Sequence, residues 1–153
     1  MTDIYANFAT LADQLRASGA AFGREEEGSA QVREAMGQVL DSATGIVLLD
    51  HTPEHVPQLR DLAQDLANET GLDTVIVRTP HVAIGVSDTL SRAEVEEGQR
   101  AMAAQQDPVA GLADFYAASS AFSVPWGAFA VAVTVAVALI IAATVAATRR
   151  SSH

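Results

Sequence analysis

The chain has 153 residues, room for one domain and an appendage and too few for two full domains. It contains no cysteine, which excludes a disulfide framework, a thiol nucleophile and thiolate-bound zinc together. Residues 1–114 hold all 19 acidic side chains against seven arginines, a net charge of −12, and Arg149 and Arg150 add +2 at the far end; nucleic acid is excluded as a partner, because a phosphate backbone requires a basic face.

Ile4, Phe8, Leu11 and Leu15 recur at helical spacing and Gly19 stands where a helix stops, so the chain opens with a short amphipathic helix. Ala20-Ala21-Phe22 reads as a brief strand, and Glu25-Glu26-Glu27, between Gly23 and Gly28, as a solvated loop. A helix is expected over residues 29–40, with Val32, Met36, Val39 and Leu40 on its apolar face. Gly45-Ile46-Val47-Leu48-Leu49 is aliphatic throughout and too short for a helix, which predicts a strand buried on both faces and ended by Asp50.

Thr52 as N-cap, Pro53 in the first turn and Glu54 at the positive dipole end predict a helix start there. Val56, Leu59, Leu62, Ala63 and Leu66 carry its stripe to Thr70, and Gly71 closes it. Thr74-Val75-Ile76-Val77-Arg78 is the next strand, and a strand–helix–strand unit of this length implies a right-handed crossover to a parallel neighbour. Thr79-Pro80 turns the chain, and residues 81–86 return antiparallel as a hairpin. Ser91 and Glu94 have capping-box spacing and open a helix over residues 92–105. Asp107-Pro108 restarts the chain into a last amphipathic helix through Val109, Leu112, Phe115 and Tyr116, running on over residues 117–123. The fold class is α/β: a small three-layer-like βαββ head, a mixed sheet with flanking helices, followed by one C-terminal transmembrane helix.

No charge occurs between Asp114 and Arg149, and residues 126–148 are almost purely apolar. At 1.5 Å per residue this segment reaches roughly 34 Å, enough to cross a hydrocarbon core of about 30 Å. Trp126 stands where an interfacial aromatic belongs, Phe129, Leu139, Ile140 and Ile141 face the hydrocarbon, and Arg149 and Arg150 are placed to reach the far headgroups. The expected organisation is a soluble acidic domain over residues 1–116, a juxtamembrane segment over 117–125, the membrane helix over 126–148 and a basic tail over 149–153. A head so tethered sits close to the bilayer, and its negative charge repels it from anionic headgroups. The start Met1-Thr2-Asp3-Ile4-Tyr5 lacks a basic, then apolar, leader pattern, so the C-terminal helix is expected to be the targeting signal. The positive-inside rule puts the C-terminus in the cytoplasm and the head outside the plasma membrane; a tail-anchored arrangement, with the head in the cytoplasm, is the competitor.

Asp50, His51 and His55 cluster at the end of the first long strand, the edge where open α/β sheets bind ligands. The two imidazoles are four residues apart but straddle a cap and a proline, unlike a metalloprotease helix, and polar capping of the strand–helix turn accounts for them better than a metal does. Asp50 also lacks the second aspartate that a magnesium-dependent phosphoryl transfer requires. Glu25, Glu26 and Glu27 lack the spacing of a calcium loop, and Glu94, Glu96 and Glu97 read as a solvated helix face. No catalytic residue and no cofactor is assigned.

The order helix, Ala20–Gly23 turn, helix, Gly45–Asp50 strand, helix, Thr74–Arg78 strand, hairpin and late single span resembles a small actinobacterial family of single-pass membrane proteins of unknown function, typically encoded beside NlpC/P60-type peptidoglycan endopeptidases. The likeness rests on architecture and on residues 73–78 and 91–102, and implies an envelope role without chemistry of its own. The strand–helix–strand–hairpin arrangement is also similar to the TPM domain, some members of which bind calcium or hydrolyse phosphate; this chain lacks that domain's acidic ligand set. Three readings follow. The first is a membrane-anchored interaction or regulatory module with the bilayer and an envelope protein as partners. The second is a metal-dependent phosphate hydrolase of TPM-like type using Asp50, His51 and His55. The third is a homo-oligomer, in which Ala143, Ala146 and Ala147 let membrane helices approach closely.

Overall fold

A computed structural model describes residues 5–122 and 126–150, the side chains of Trp126, Arg149 and Arg150 excepted. Ile4, expected in the first helical stripe, lies outside the described residues, as do Ser123 and Pro125. The chain divides into two compact units, Met1–Phe122 and Ser123–His153.

In the first unit α1 (Phe8–Ser18) buries Leu11, Ala12 and Leu15. It stops at Gly19, whose φ of 74° is the left-handed conformation that only glycine adopts without strain, and whose N–H returns to the Leu15 carbonyl. The strands are β1 (Ala20–Phe22), β2 (Thr44–Leu48), β3 (Thr74–Arg78) and β4 (Ala83–Ser87). Between and after them run α2 (Ser29–Val39), α3 (Pro57–Thr70), α4 (Arg92–Ala104) and α5 (Pro108–Ala121). They form one four-stranded sheet in the order β1-β2-β3-β4. The first three strands are parallel and β4 runs antiparallel to β3. The brief strand at Ala20-Ala21-Phe22 is therefore the outer parallel strand of the sheet.

Period-two alternation sends the two halves of each strand to opposite helix layers. Ala21, Val47, Val75 and Val77 meet Leu11 and Leu15 of α1 and Leu59, Leu62 and Leu66 of α3. Ala20, Ile46 and Ile76 meet Met36 of α2, Met102 of α4 and Leu112 and Phe115 of α5. Leu59, Leu62 and Leu66 are each fully buried, so truncating any one removes about 2–5 kcal/mol of packing. The connection through α2 thus passes one face of the sheet and that through α3 the other, although both step to the next strand in the same direction. Two parallel crossovers arranged in this way have opposite hands, so one of them is left-handed against the usual preference.

The helix expected from Thr52 begins instead at Pro57, with Val56 at the cap position and no capping side chain. The reason is the second proline. In a helix starting at Pro53, Pro57 would stand in the interior, unable to donate to the carbonyl four residues back and clashing with it; as the first residue of the helix it costs nothing. The hairpin strand is likewise displaced, from residues 81–86 to Ala83–Ser87. His81 and Val82 are spent on the turn: the Val82 carbonyl accepts from Thr79 N–H at 2.8 Å, and Val82 N–H donates to Thr79 Oγ1 at 3.1 Å. The capping box forms as read, Glu94 N–H donating to Ser91 Oγ at 3.3 Å and Ser91 N–H to Glu94 Oε2 at 2.6 Å. The Ser91 hydroxyl and then the Ser91 N–H, both favouring the ionised form, hold the Glu94 carboxyl below the usual range.

The second unit is α6 (Trp126–Arg150). Its segment Gly127–Thr148, 22 residues, is long and apolar enough to cross a membrane, and none of it is buried. Leu139, Ile140 and Ile141 are 59–66% exposed and Phe129 is 60% exposed. Apolar side chains cover the whole circumference, a pattern that lipid solvates and water does not. The threonine hydroxyls are satisfied internally: Thr134, Thr144 and Thr148 donate to the carbonyls of Ala130, Ile140 and Thr144 at 2.8–2.9 Å. None of these hydroxyls needs a water partner.

Candidate functional site

The carboxyl ends of β1, β2 and β3 bring together Arg24, Asp50, His51, Thr52 and Thr79. The His51 ring nitrogen Nδ1 lies 2.7 Å from Asp50 Oδ1, and Arg24 Nη1 is 3.5 Å from Asp50 Oδ2. A hydroxyl pair, Thr52 Oγ1 to Thr79 Oγ1 at 2.7 Å, fastens the turn after β2 to the end of β3. Thr52 thus pins a loop and caps no helix. His55 lies exposed before α3, its carbonyl accepting from Gln58 N–H at 3.0 Å. Asp50 and His51 are therefore brought together, and His55 serves the helix start through its backbone. Among the described residues no three histidine, aspartate or glutamate side chains are grouped to hold a metal ion.

The Asp50 carboxyl is held below the ordinary aspartate range chiefly by the His51 hydrogen bond, with partial burial opposing and the Arg24 charge adding. Because the folded value lies below the unfolded one of about 3.9, the stabilisation from this group is present above that pH. It is lost as pH falls through the folded value. His51→Ala is expected to raise the Asp50 titration midpoint towards the ordinary value, read from carboxyl carbon shifts in NMR. An unchanged midpoint would assign the depression to Arg24 instead.

A second feature lies along β4, a free edge of the sheet. α3 and α4 cover opposite faces of the sheet, and both pack on β4. A cavity of about 580 Å³ opens between them at the edge, with Val56, Arg60, Ile84, Val86 and Val95 in its wall. A second, of about 330 Å³, follows from His81 to Ala83 and shares Glu96 and Gln99 with the first. The Gly85 N–H donates across the edge to Gln99 Oε1 at 2.6 Å. The sequence carries no signal for this arrangement beyond the expectation that residues 81–86 return antiparallel as a hairpin. How far two helices overhang it is decided by tertiary packing.

Two buried features fix α4 against its neighbours. Gly98 lets the Phe115 ring approach so closely that an added Cβ would stand 2.6 Å from Cδ2. Arg78, 7% exposed, donates from Nη1 to the Met102 carbonyl at 3.1 Å, and from Nη2 to the carbonyls of Gln105 and, at 3.2 Å, Gln106. A guanidinium at the negative end of α4 adds a second donor to the Met102 carbonyl, which also accepts from Gln105 N–H at 3.2 Å, and serves the Gln105 and Gln106 carbonyls just beyond the helix.

Residues 4–153 match the family model described as membrane protein Rv1476. No curated protein and no solved structure matches the chain.

Proposed function

We propose that this chain, which belongs to the Rv1476 membrane protein family, is a single-pass membrane-anchored interaction module of the cell envelope that recruits or regulates an envelope enzyme, a peptidoglycan hydrolase being the partner that the resemblance implies. The observation that carries this reading is the apolar helix Gly127–Thr148, unburied along its length. A compact head attached to such a helix is confined to a surface, where a modest affinity suffices because confinement raises the effective concentration of a co-confined partner. Asp50 and His51 satisfy each other beside Arg24 and support a pinned turn better than a reaction centre. Crosslinking of the full chain in membranes, followed by detergent extraction and isolation, is expected to recover one specific envelope protein. Recovery of no partner under those conditions would contradict the module.

The head is proposed to lie on the outer side of the plasma membrane and the C-terminus in the cytoplasm, on the two arginines that follow the apolar stretch of α6 and the absence of basic residues between Arg100 and Trp126. A cysteine-free chain makes the test clean. Glu26→Cys, in an exposed loop, is expected to react with an impermeant thiol reagent in intact cells. Labelling only after lysis would reverse the orientation.

A further inference from the structure

We propose that the slot along the free edge of β4 receives an extended peptide segment of the partner protein as a fifth strand, with an acidic side chain of that segment paired to Arg60; this rests on the interaction-module reading. The first support is the backbone. Thr79 N–H to the Val82 carbonyl at 2.8 Å and Asp88 N–H to the Asp73 carbonyl at 2.9 Å bracket the β3–β4 ladder. Counting inward by two, Val86 and Ile84 exchange hydrogen bonds with β3. Ala83, Gly85 and Ser87 therefore turn their N–H and carbonyl groups away from it, towards the slot. Of these, the Gly85 N–H is held by the Gln99 side chain. A side-chain amide is a replaceable cap: an incoming strand's carbonyl can take the same N–H, and Gln99 swings aside.

Shape is the second support. α3 and its cap residue supply one wall, through Arg60 and Val56, and α4 the other, through Val95 and Gln99. The two cavities continue past every residue of β4. Five strand residues span about 17 Å, and a sheet edge flanked by two helix layers is where the next strand of a three-layer sandwich would lie. Edges left this open are templates for pairing.

Charge selects the occupant. Three arginines, Arg60, Arg92 and Arg100, and one glutamate, Glu96, line the two cavities, in a chain whose net charge is −10. Arg92 is paired to Glu96 at 2.7 Å and Arg100 to Glu97. Arg60 has no carboxylate partner among the described residues, so an acidic segment gains a contact there at no cost to an existing pair. A second copy of the chain is disfavoured as occupant by the mutual repulsion of two strongly acidic heads.

The test uses the full chain in detergent micelles and fluorescein-labelled heptapeptides of alternating valine and threonine. One carries a central glutamate, one a lysine there, and two are glutamate peptides N-methylated at alternate amides in either parity. The glutamate peptide is expected to bind at least about tenfold more tightly than the lysine peptide, and this preference should vanish in Arg60→Glu. It should slow amide exchange in residues 82–88, bind Gln99→Ala no more weakly than the parent chain, and lose binding by methylation in one parity only. Failure of the glutamate peptide to protect β4 in both the parent chain and Gln99→Ala would overturn the proposal, as would equal binding of the two methylated peptides. Concentration-dependent dimerisation abolished by Arg60→Glu would overturn it as well, by giving the edge to a second copy. If Arg60→Glu still recovers the envelope partner at parental yield, the slot is wrong and the interaction module stands. If the parent chain recovers no partner yet shows the peptide selectivity, the slot stands and the module's envelope role falls.

Discussion

Arg78→Met is expected to lower the unfolding free energy of the head by about 3–5 kcal/mol, a loss in the range of a core truncation. Arg78 ends β3, and its guanidinium is shut between that strand and the turn from α4 to α5, where it serves three carbonyls. Methionine fills much of the volume but leaves the Gln105 and Gln106 carbonyls without this donor and the Met102 carbonyl with the Gln105 N–H alone, and the charge that faces the end of α4 disappears. Burial pulls the proton affinity of Arg78 below that of an ordinary arginine, with the Asp107 charge opposing, and arginine stays charged all the same. The same turn holds Asp107, whose carboxylate caps α5 through the N–H groups of Val109 and Ala110 at 3.2 and 3.3 Å. Thermal unfolding of the full chain in micelles, followed by circular dichroism, measures the effect. A loss under about 1 kcal/mol would mean that the carbonyls find water and that the guanidinium is packing alone.

The second large effect belongs to α6, the helix long and apolar enough to cross a membrane. Leu139→Arg, near the centre of Gly127–Thr148, is expected to cost about 2.5–3.5 kcal/mol in insertion, on the order of a hundredfold in the membrane-bound fraction. The same charge at Thr148, where the helix leaves its apolar stretch, should be tolerated, because a long side chain there reaches the interface. The contrast between the two sites separates a spanning helix from one lying on a surface. An interfacial helix would show a dependence on face instead of depth. Counting the carbonate-resistant fraction of each variant reads the difference, and equal resistance of the two would contradict a spanning geometry.

The elements that were legible in the sequence are those whose signals are local. The runs Ile46-Val47-Leu48 and Val75-Ile76-Val77 have no polar member, so burial on both faces follows without knowledge of what covers them. Ser91 with Glu94, and Gly19 and Gly71 after periodic segments, mark helix ends by hydrogen-bonding chemistry that needs no tertiary partner. The start of α3 failed for an equally local reason: Thr52-Pro53-Glu54 is a sound helix opening until Pro57 is placed in register behind it. The opposite hands of the two crossovers were not legible, since the faces chosen by α2 and α3 depend on the whole sheet. In the candidate site, the contact between adjacent Asp50 and His51 could be read directly. The approach of Thr52 to Thr79 and of Gln99 to Gly85 depends on parts of the chain 27 and 14 residues apart and on the packing that joins them. Arg60 could be counted in the sequence but not seen to stand without a carboxylate partner among the described residues.

Residence of α6 in hydrocarbon underlies the anchored-module account, and fractionation of lysed cells tests it most directly. After high-speed centrifugation without detergent and an alkaline carbonate wash, the intact chain is predicted to remain in the membrane pellet and to enter solution only when detergent is added. Recovery of the intact chain in the detergent-free supernatant would contradict the account.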